Sequence, residues 1–418
     1  MTNKILTGIR ERNLLEWWEA LTDEWKKIFA VHLEFNKRQI DYGRISSVPC
    51  INRFSNNCFE VFREIIGEEF QYVPILEIQK LFQISKFTFL WLEGCHIQSL
   101  EVLRELKNIQ TLNIREINIS DIQPLAELGE LRILECSNNQ ITNLEPLKNL
   151  SNLKELNCGL QLITSLEPLR NLSNLKELYC YNNQIISLEP LENLCNIEIL
   201  HVRGNQIINL KQLRGLVNLK ELYCHENEIT SLEPLEGLVN LENLSCEGNQ
   251  ITSLEPLKNL TNLGELYFYG KQITSLEPLR KLINLKTLEC IHSQITSLEP
   301  LKNLFNLNEL ICYENQITNL KSLKNLINLK KLDCSFNQIT SLEPLKNLTN
   351  LEWLNCDSNQ ITSLKTLQNL PNLKELYCSG NPIKDSEIER FKKDHPDCEV
   401  TFEPMEDSDR AILVPPSL

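Results

Sequence analysis

Residues 175–185 read Leu-Lys-Glu-Leu-Tyr-Cys-Tyr-Asn-Asn-Gln-Ile, and residues 219–229 read Leu-Lys-Glu-Leu-Tyr-Cys-His-Glu-Asn-Glu-Ile. The leading apolar residue of this phrase recurs at a fixed step of 22, at Phe87, Ile109, Leu131, Leu153, Leu175, Ile197, Leu219, Leu241, Leu263, Leu285, Leu307, Leu329, Leu351 and Leu373. Fourteen units in register, with no insertion, mark a solenoid. A chain of 418 residues would otherwise point to two or three globular domains. A solenoid buries one continuous core by stacking its units, so length alone does not divide it.

Each unit reads in two halves. Leu-x-x-Leu-x-Cys has the period-two inward pattern of a short strand, which predicts parallel strands stacked into one sheet. Cysteine holds the same place in ten units (Cys136, Cys158, Cys180, Cys224, Cys246, Cys290, Cys312, Cys334, Cys356 and Cys378), where Leu92, Ile114, Val202 and Phe268 stand in the other four. A place that accepts Leu, Ile, Val, Phe or Cys is an interior place, and free cysteine behaves there as a small hydrophobe. Eight residues after the leading position, nine of the fourteen units carry Asn. Its amide is suited to satisfying the unpaired backbone groups of a turn. Ile117, Gln161, Lys271 and Ser293 break this pattern, and Cys95 stands there in the first unit. The second half, as in Ser253-Leu254-Glu255-Pro256-Leu257, returns the chain through a short helix with proline in its first turn. The Asn before each new strand (Asn152, Asn174, Asn196) tolerates the turn that restarts it.

The unit resembles the 22-residue class of leucine-rich repeats, which includes bacterial internalins and regulators of protein phosphatase 1. The resemblance spans about residues 74–404 and implies an α/β solenoid: a leucine-rich-repeat arc with a parallel, concave β-sheet, short convex helices, and caps at both ends. The stretch from Leu15-Glu16-Trp17-Trp18 to Glu24-Trp25-Lys26-Lys27 also looks like a leader of bacterial cytosolic repeat proteins. The expected organisation is an N-terminal helical cap at 1–72, repeats at 73–383, a C-terminal cap at 384–404 and a disordered tail at 405–418. In the first cap, Leu14 to Leu21 has a helical pattern, Thr22 reads as the N-cap of a helix running to Phe29, and a further helix is expected from Ser55 through Ile66. The repeat rhythm enters at Ile75, Ile78, Leu81 and Ile84, with no linker. After Asn381-Pro382-Ile383, a helix bearing Ile388 and Phe391 and a last strand at Cys398 to Phe402 are expected.

The net charge of −14 argues against a nucleic-acid partner, which needs clustered cations, and fits a basic or amphipathic one. Met1 to Arg12 carries no apolar run of signal-peptide length, and no stretch reaches a membrane span. Stacked thiols on neighbouring strands suit a reducing cytoplasm. No nucleophile with a paired base, no glycine-rich phosphate loop and no Cys-x-x-Cys is present, so neither enzyme activity nor a cofactor is expected. The histidines His201, His225 and His292, with Glu221 and Glu226 nearby, fall short of a converging metal set and read as contact residues.

The alternating outward positions then carry the function. They present Tyr179 and Tyr181, His201 and Arg203, Tyr223 and His225, Tyr267 and Tyr269, Tyr313 and Trp353, beside an acidic file of Glu155, Glu177, Glu221, Glu265, Glu309 and Glu375. Tyr, Trp and Arg supply large contact area with a polar handle. The bland account is that tyrosine suits exposed strands, and that duplication copies residues without selecting each one. The expected function is an intracellular protein–protein interaction scaffold that binds a protein or peptide on this concave face. The alternatives are a regulatory subunit of an enzyme such as a phosphatase, as the resemblance allows, and a secreted adhesin or effector.

Overall fold

A computed structural model describes residues 18–29 and 87–403, in two compact units, 1–199 and 200–418. The expected helical start at 14–17, the helix from Ser55, the rhythm at 75–84 and the tail at 405–418 lie outside the described residues.

In the first unit, helix α1 (residues 23–29) begins after Thr22, whose Oγ1 accepts the Trp25 N–H at 3.5 Å. Trp25, Ile28 and Phe29 are buried. The Phe29 ring lies 6.2 Å from that of Phe87, so the helix rests on the first repeat. Strands β1 (Phe89–Trp91), β2 (Thr111–Asn113), β3 (Ile133–Glu135), β4 (Glu155–Asn157) and β5 (Glu177–Tyr179) follow in parallel and in sequence order. β6 (Ile199–His201) falls at the limit between the units.

The second unit continues with β7 (Glu221–Tyr223), β8 (Asn243–Ser245), β9 (Glu265–Tyr269), β10 (Thr287–Ile291), β11 (Glu309–Ile311), β12 (Lys331–Asp333), β13 (Trp353–Asn355), β14 (Glu375–Tyr377) and β15 (Glu399–Thr401). Each residue pairs with its equivalent one repeat on, as Leu222 with Leu244 and Leu244 with Leu266. A period of constant length allows no other register. The last pair differs, Leu376 facing Val400, because helix α2 (Asp385–Asp394) intervenes and buries Ile388 and Phe391.

Inward leucines and the cysteine column are sealed from solvent; Leu178, Cys180, Leu222 and Cys224 are all 0% exposed. Burial pushes the Cys158 thiol up to about 12, and Cys136 and Cys180 also rise well above the thiol range. A thiolate is the reactive form, so these side chains act as packing atoms.

The return half is a single 3₁₀ turn rather than an α-helix. At Glu255–Leu257, the Leu257 N–H donates to the Leu254 carbonyl at 2.9 Å, and Ser253 Oγ accepts the Glu255 N–H at 3.2 Å. The tighter coil rises more per residue, so a few residues cross the layer before the next strand begins.

Asparagine ladders join the repeats. Asn337 Oδ1 accepts the Ile317 N–H at 2.9 Å, while its Nδ2 donates to the carbonyls of Cys312, Cys334 and Ser335 at 3.0, 3.2 and 3.0 Å. Gln161 does not interrupt this ladder: its Oε1 accepts the Ile141 N–H at 2.8 Å, and its Nε2 reaches the Cys136 carbonyl at 2.6 Å. The asparagine before each strand forms a second ladder, as Asn328 Nδ2 donates to the Phe305 carbonyl at 2.8 Å. That residue type was read from sequence as a turn former; it is also a tie between repeats.

One position ahead of the ladder asparagine, the backbone is left-handed in repeat after repeat: φ is +65° at Gly248, +47° at His292, +55° at Glu314 and +50° at Phe336. Gly270, at the same place, is the exception. There β9 and β10 lengthen to five residues, and Lys271 and Ser293 replace the asparagine.

Candidate functional site

The open face of the sheet is built from outward positions two, four and six. In the first unit, the Tyr179 hydroxyl donates to Glu177 Oε2 at 2.9 Å. Tyr181 lies over Gly159, where a Cβ would stand 2.5 Å from its ring. Glycine there makes room for the ring.

The second unit repeats the first arrangement. The Tyr223 hydroxyl reaches Glu221 Oε2 at 2.8 Å, Tyr267 reaches Glu265 at 3.1 Å, and Tyr377 reaches Glu375 at 3.0 Å. Side chains two apart on one strand share a face, so the spacing Glu-Leu-Tyr lays each ring along its strand with its hydroxyl fixed. Burial and the Glu221 hydrogen bond push the Tyr223 phenol up to about 12; burial and Glu265 raise Tyr267 further. Both phenols therefore present a neutral ring.

The His201 ring lies tilted, 5.1 Å from that of Tyr223 and 6.2 Å from that of His225. Burial, with the charges of His225 and Arg203, drops its pKa to about 4. Arg203 is tied by two bonds of 3.1 Å to Glu226, so its charge is largely spent within the protein. His225 Nδ1 lies 2.6 Å from Ser245 Oγ, whose hydroxyl donates to Glu247 Oε2 at 2.6 Å. Sequence reading missed this chain because His225 and Ser245 sit 20 residues apart. It differs from a nucleophile triad, in which histidine lies between the acid and the hydroxyl. Here the hydroxyl is in the middle, buried at 4% exposure, with its proton held by Glu247. It orients His225.

Further along, Tyr269 is 37% exposed and meets His292 edge-on at 6.2 Å, and His292 in turn meets Tyr313 at 5.3 Å. Trp353 packs against Tyr377 at 5.5 Å, with Lys331 Nζ 5.4 Å from its ring centre. The ten side chains expected to face a partner thus fall into neighbourhoods. Tyr179 and Tyr181 lie in the first unit. His201, Arg203, Tyr223 and His225 form a cluster in the second, Tyr267 and Tyr269 share β9, Tyr313 joins Tyr269 through His292, and Trp353 stands with Tyr377. Lys331 and Asp333 were not foreseen. The Glu289 pKa is raised from its ordinary value by burial and then by Glu247 and Glu309, with Asp333 adding to the same repulsion. Lys331, bonded to Glu309 at 2.7 Å, offsets only part of it. A face that crowds carboxylates around neutral rings attracts cations.

Among the described residues no three His, Cys, Asp or Glu side chains converge as metal ligands, and no helix is long and apolar enough to cross a membrane.

The family model described as leucine-rich repeats (2 copies) matches residues 130–171, 173–216, 217–259, 306–347 and 349–390. Among solved structures, the chain is similar to an internalin, inlF, of Listeria monocytogenes, at 31% identity over 72% of this chain and 89% of that one, with a TM-score of 0.68. It is also similar to a leucine-rich-repeat protein of Leptospira interrogans, at 30% identity over 78% and 86% of the two chains and a TM-score of 0.72. The functional domain of InlJ from Listeria monocytogenes, which includes a cysteine ladder, shares the fold at 24% identity over 72% and 70%, with a TM-score of 0.62. No curated protein matches the chain.

Proposed function

The chain belongs to the leucine-rich-repeat family, whose members are interaction scaffolds, and we propose that its open sheet face binds a basic, partly apolar segment of a protein partner. The observation that carries this is the repeated Glu-Leu-Tyr device, which in the second unit ties the hydroxyls of Tyr223, Tyr267 and Tyr377 to glutamates of their own strands. Rings fixed before binding lose little side-chain entropy when a partner arrives. Beside them, Glu247, Glu309 and Asp333 crowd negative charge against Glu289. A lysine or arginine side chain relieves that repulsion while its aliphatic stem covers the rings. Neither group alone specifies this partner; their interleaving does.

The test is titration of the purified protein with a fluorescent peptide library of alternating Lys/Arg and Leu/Val, followed by capture of the cellular partner. Replacing Tyr223, Tyr267 and Tyr269 together by alanine should weaken binding by at least about a hundredfold, as loss of hot-spot aromatics does, with an unchanged circular-dichroism spectrum. Full affinity in that triple variant sinks the proposal. So does equal binding of an acidic library.

A further inference from the structure

The ladder of the second unit is broken at two adjacent places, Lys271 and Ser293, and the break at Lys271, which leaves a backbone donor unanswered, lies beside a cavity. In the surrounding repeats, the N–H of the isoleucine two residues beyond the ladder position is received by the asparagine of the next repeat, as Ile229 by Asn249 at 2.9 Å and Ile295 by Asn315 at 3.1 Å. Ile251 should be received at position 271, but the Lys271 side chain has no acceptor atom to offer. Ile273 escapes the same difficulty by donating to the Gly270 carbonyl at 2.9 Å. No such replacement exists for Ile251 among the described residues.

The backbone changes with it. Gly270 abandons the left-handed conformation and turns inward, so close that a Cβ there would stand 3.0 Å from the Ile251 carbonyl. The asparagine amide that fills this volume elsewhere is absent. Beside the break is an open cavity of about 580 Å³, lined by Ile251, Tyr269, Gly270, Lys271, Ile291 and His292 among others. Two isoleucines and a tyrosine ring make much of its wall apolar. Lys271 is exposed at its rim. It joins none of the ion pairs that hold other cations of this unit, such as Lys258 with Glu255 and Lys331 with Glu309.

We propose that this cavity binds the carboxyl-terminal residue of a peptide ending in an aliphatic side chain. One such residue answers the three features together. Its side chain covers Ile251 and Ile291. Its carboxylate supplies the acceptor that Ile251 lacks, and Lys271 neutralises that charge. A cationic ligand meets Lys271 with like charge, and an uncharged apolar one leaves the backbone donor unanswered. This site is separate in chemistry from the face that takes a basic segment, and it stands whether or not that face does so.

The probes are N-acetyl-glycyl-leucine and its carboxamide, titrated into the isotope-labelled full chain, with dissociation constants and the Ile251 amide shift read by NMR. The acid should bind at least tenfold more tightly than the amide and move the Ile251 resonance. Lys271→Asn recreates the Gly-Asn-Gln-Ile sequence of residues 248–251, which answers the Ile251 N–H and removes the charge, and should abolish binding while keeping a native spectrum. Lys271→Ala leaves the Ile251 N–H unanswered and removes the charge, so the acid should fall to the level of the amide. The proposal is overturned if acid and amide bind alike, if the acid fails to bind, or if Lys271→Asn binds as the parent does. Loss of basic-library binding in Tyr223→Ala, which lies outside the cavity lining, with retention of this site, or loss of this site alone in Lys271→Ala, separates the two readings.

Discussion

The residue on which this architecture turns is a buried amide. Asn337 is 8% exposed, accepts one backbone hydrogen bond and donates to three carbonyls across two repeats. Asn337→Ala strands those groups in an apolar interior and should cost about 3 kcal/mol or more, measured as a shift of the urea midpoint at constant slope. A change smaller than about 0.5 kcal/mol would contradict that role. A second residue-scale consequence concerns pH. The His201 pKa falls to about 4 in the folded chain, below the ordinary histidine value near 6.5. Between those values the unfolded chain binds a proton that the folded one refuses, so stability is full above about pH 6.5 and declines as pH falls toward 4. His201→Gln should flatten that decline in a series of denaturation midpoints; an unaltered profile would assign it to other groups.

At the scale of elements, the strands, their order and their inward residues could be read from the period. The constant 22-residue step dictates register, and the alternation within Leu-x-x-Leu-x-Cys dictates which side is buried. The character of the return segments could not be read so fully. Proline near the start signals a helical turn, yet nothing in Ser-Leu-Glu-Pro-Leu separates one 3₁₀ turn from two α turns. The left-handed position was also hidden, because it is occupied by Gly, Asn, Glu, His, Leu, Phe and Ser alike. The stack imposes that geometry regardless of preference. Phe336 therefore bears a φ of +50° with a side chain 57% exposed. Phe336→Gly should raise stability by about 1 kcal/mol, the order of the left-handed penalty for a non-glycine residue, seen as a higher thermal midpoint. A lower midpoint would show that the ring makes compensating contacts. The open face was legible as a list of outward rings. The pairing of each tyrosine with the glutamate two residues earlier, and the His225–Ser245–Glu247 chain, needed coordinates, because rotamers and cross-strand neighbours decide them.

At the scale of the whole molecule, nearly every joint is written between equivalent positions and not between particular residues. Removing Leu307–Asn328 in full leaves each remaining asparagine facing another isoleucine of the same kind. That deletion should retain one cooperative thermal transition with a midpoint lowered by only a few degrees, in keeping with stability that adds up repeat by repeat. Removing only Leu307–Ile317 puts a strand against a return turn and should abolish the transition in this unit. If both deletions melt alike, register is not what holds the stack together.

The unmatched joint at Lys271 has a different consequence. Elsewhere, copying or losing a 22-residue segment is nearly silent, because whatever arrives finds a waiting counterpart, and such a chain can vary in length between generations without losing its form. The fault does not share that freedom. A copied segment carrying asparagine erases it, and a second copy of Lys271 leaves two donors without acceptors. Heredity can therefore treat most of this sequence as interchangeable currency, while the stretch from Ile251 to Ile273 behaves as a unique locus whose identity survives only if it is left unshuffled.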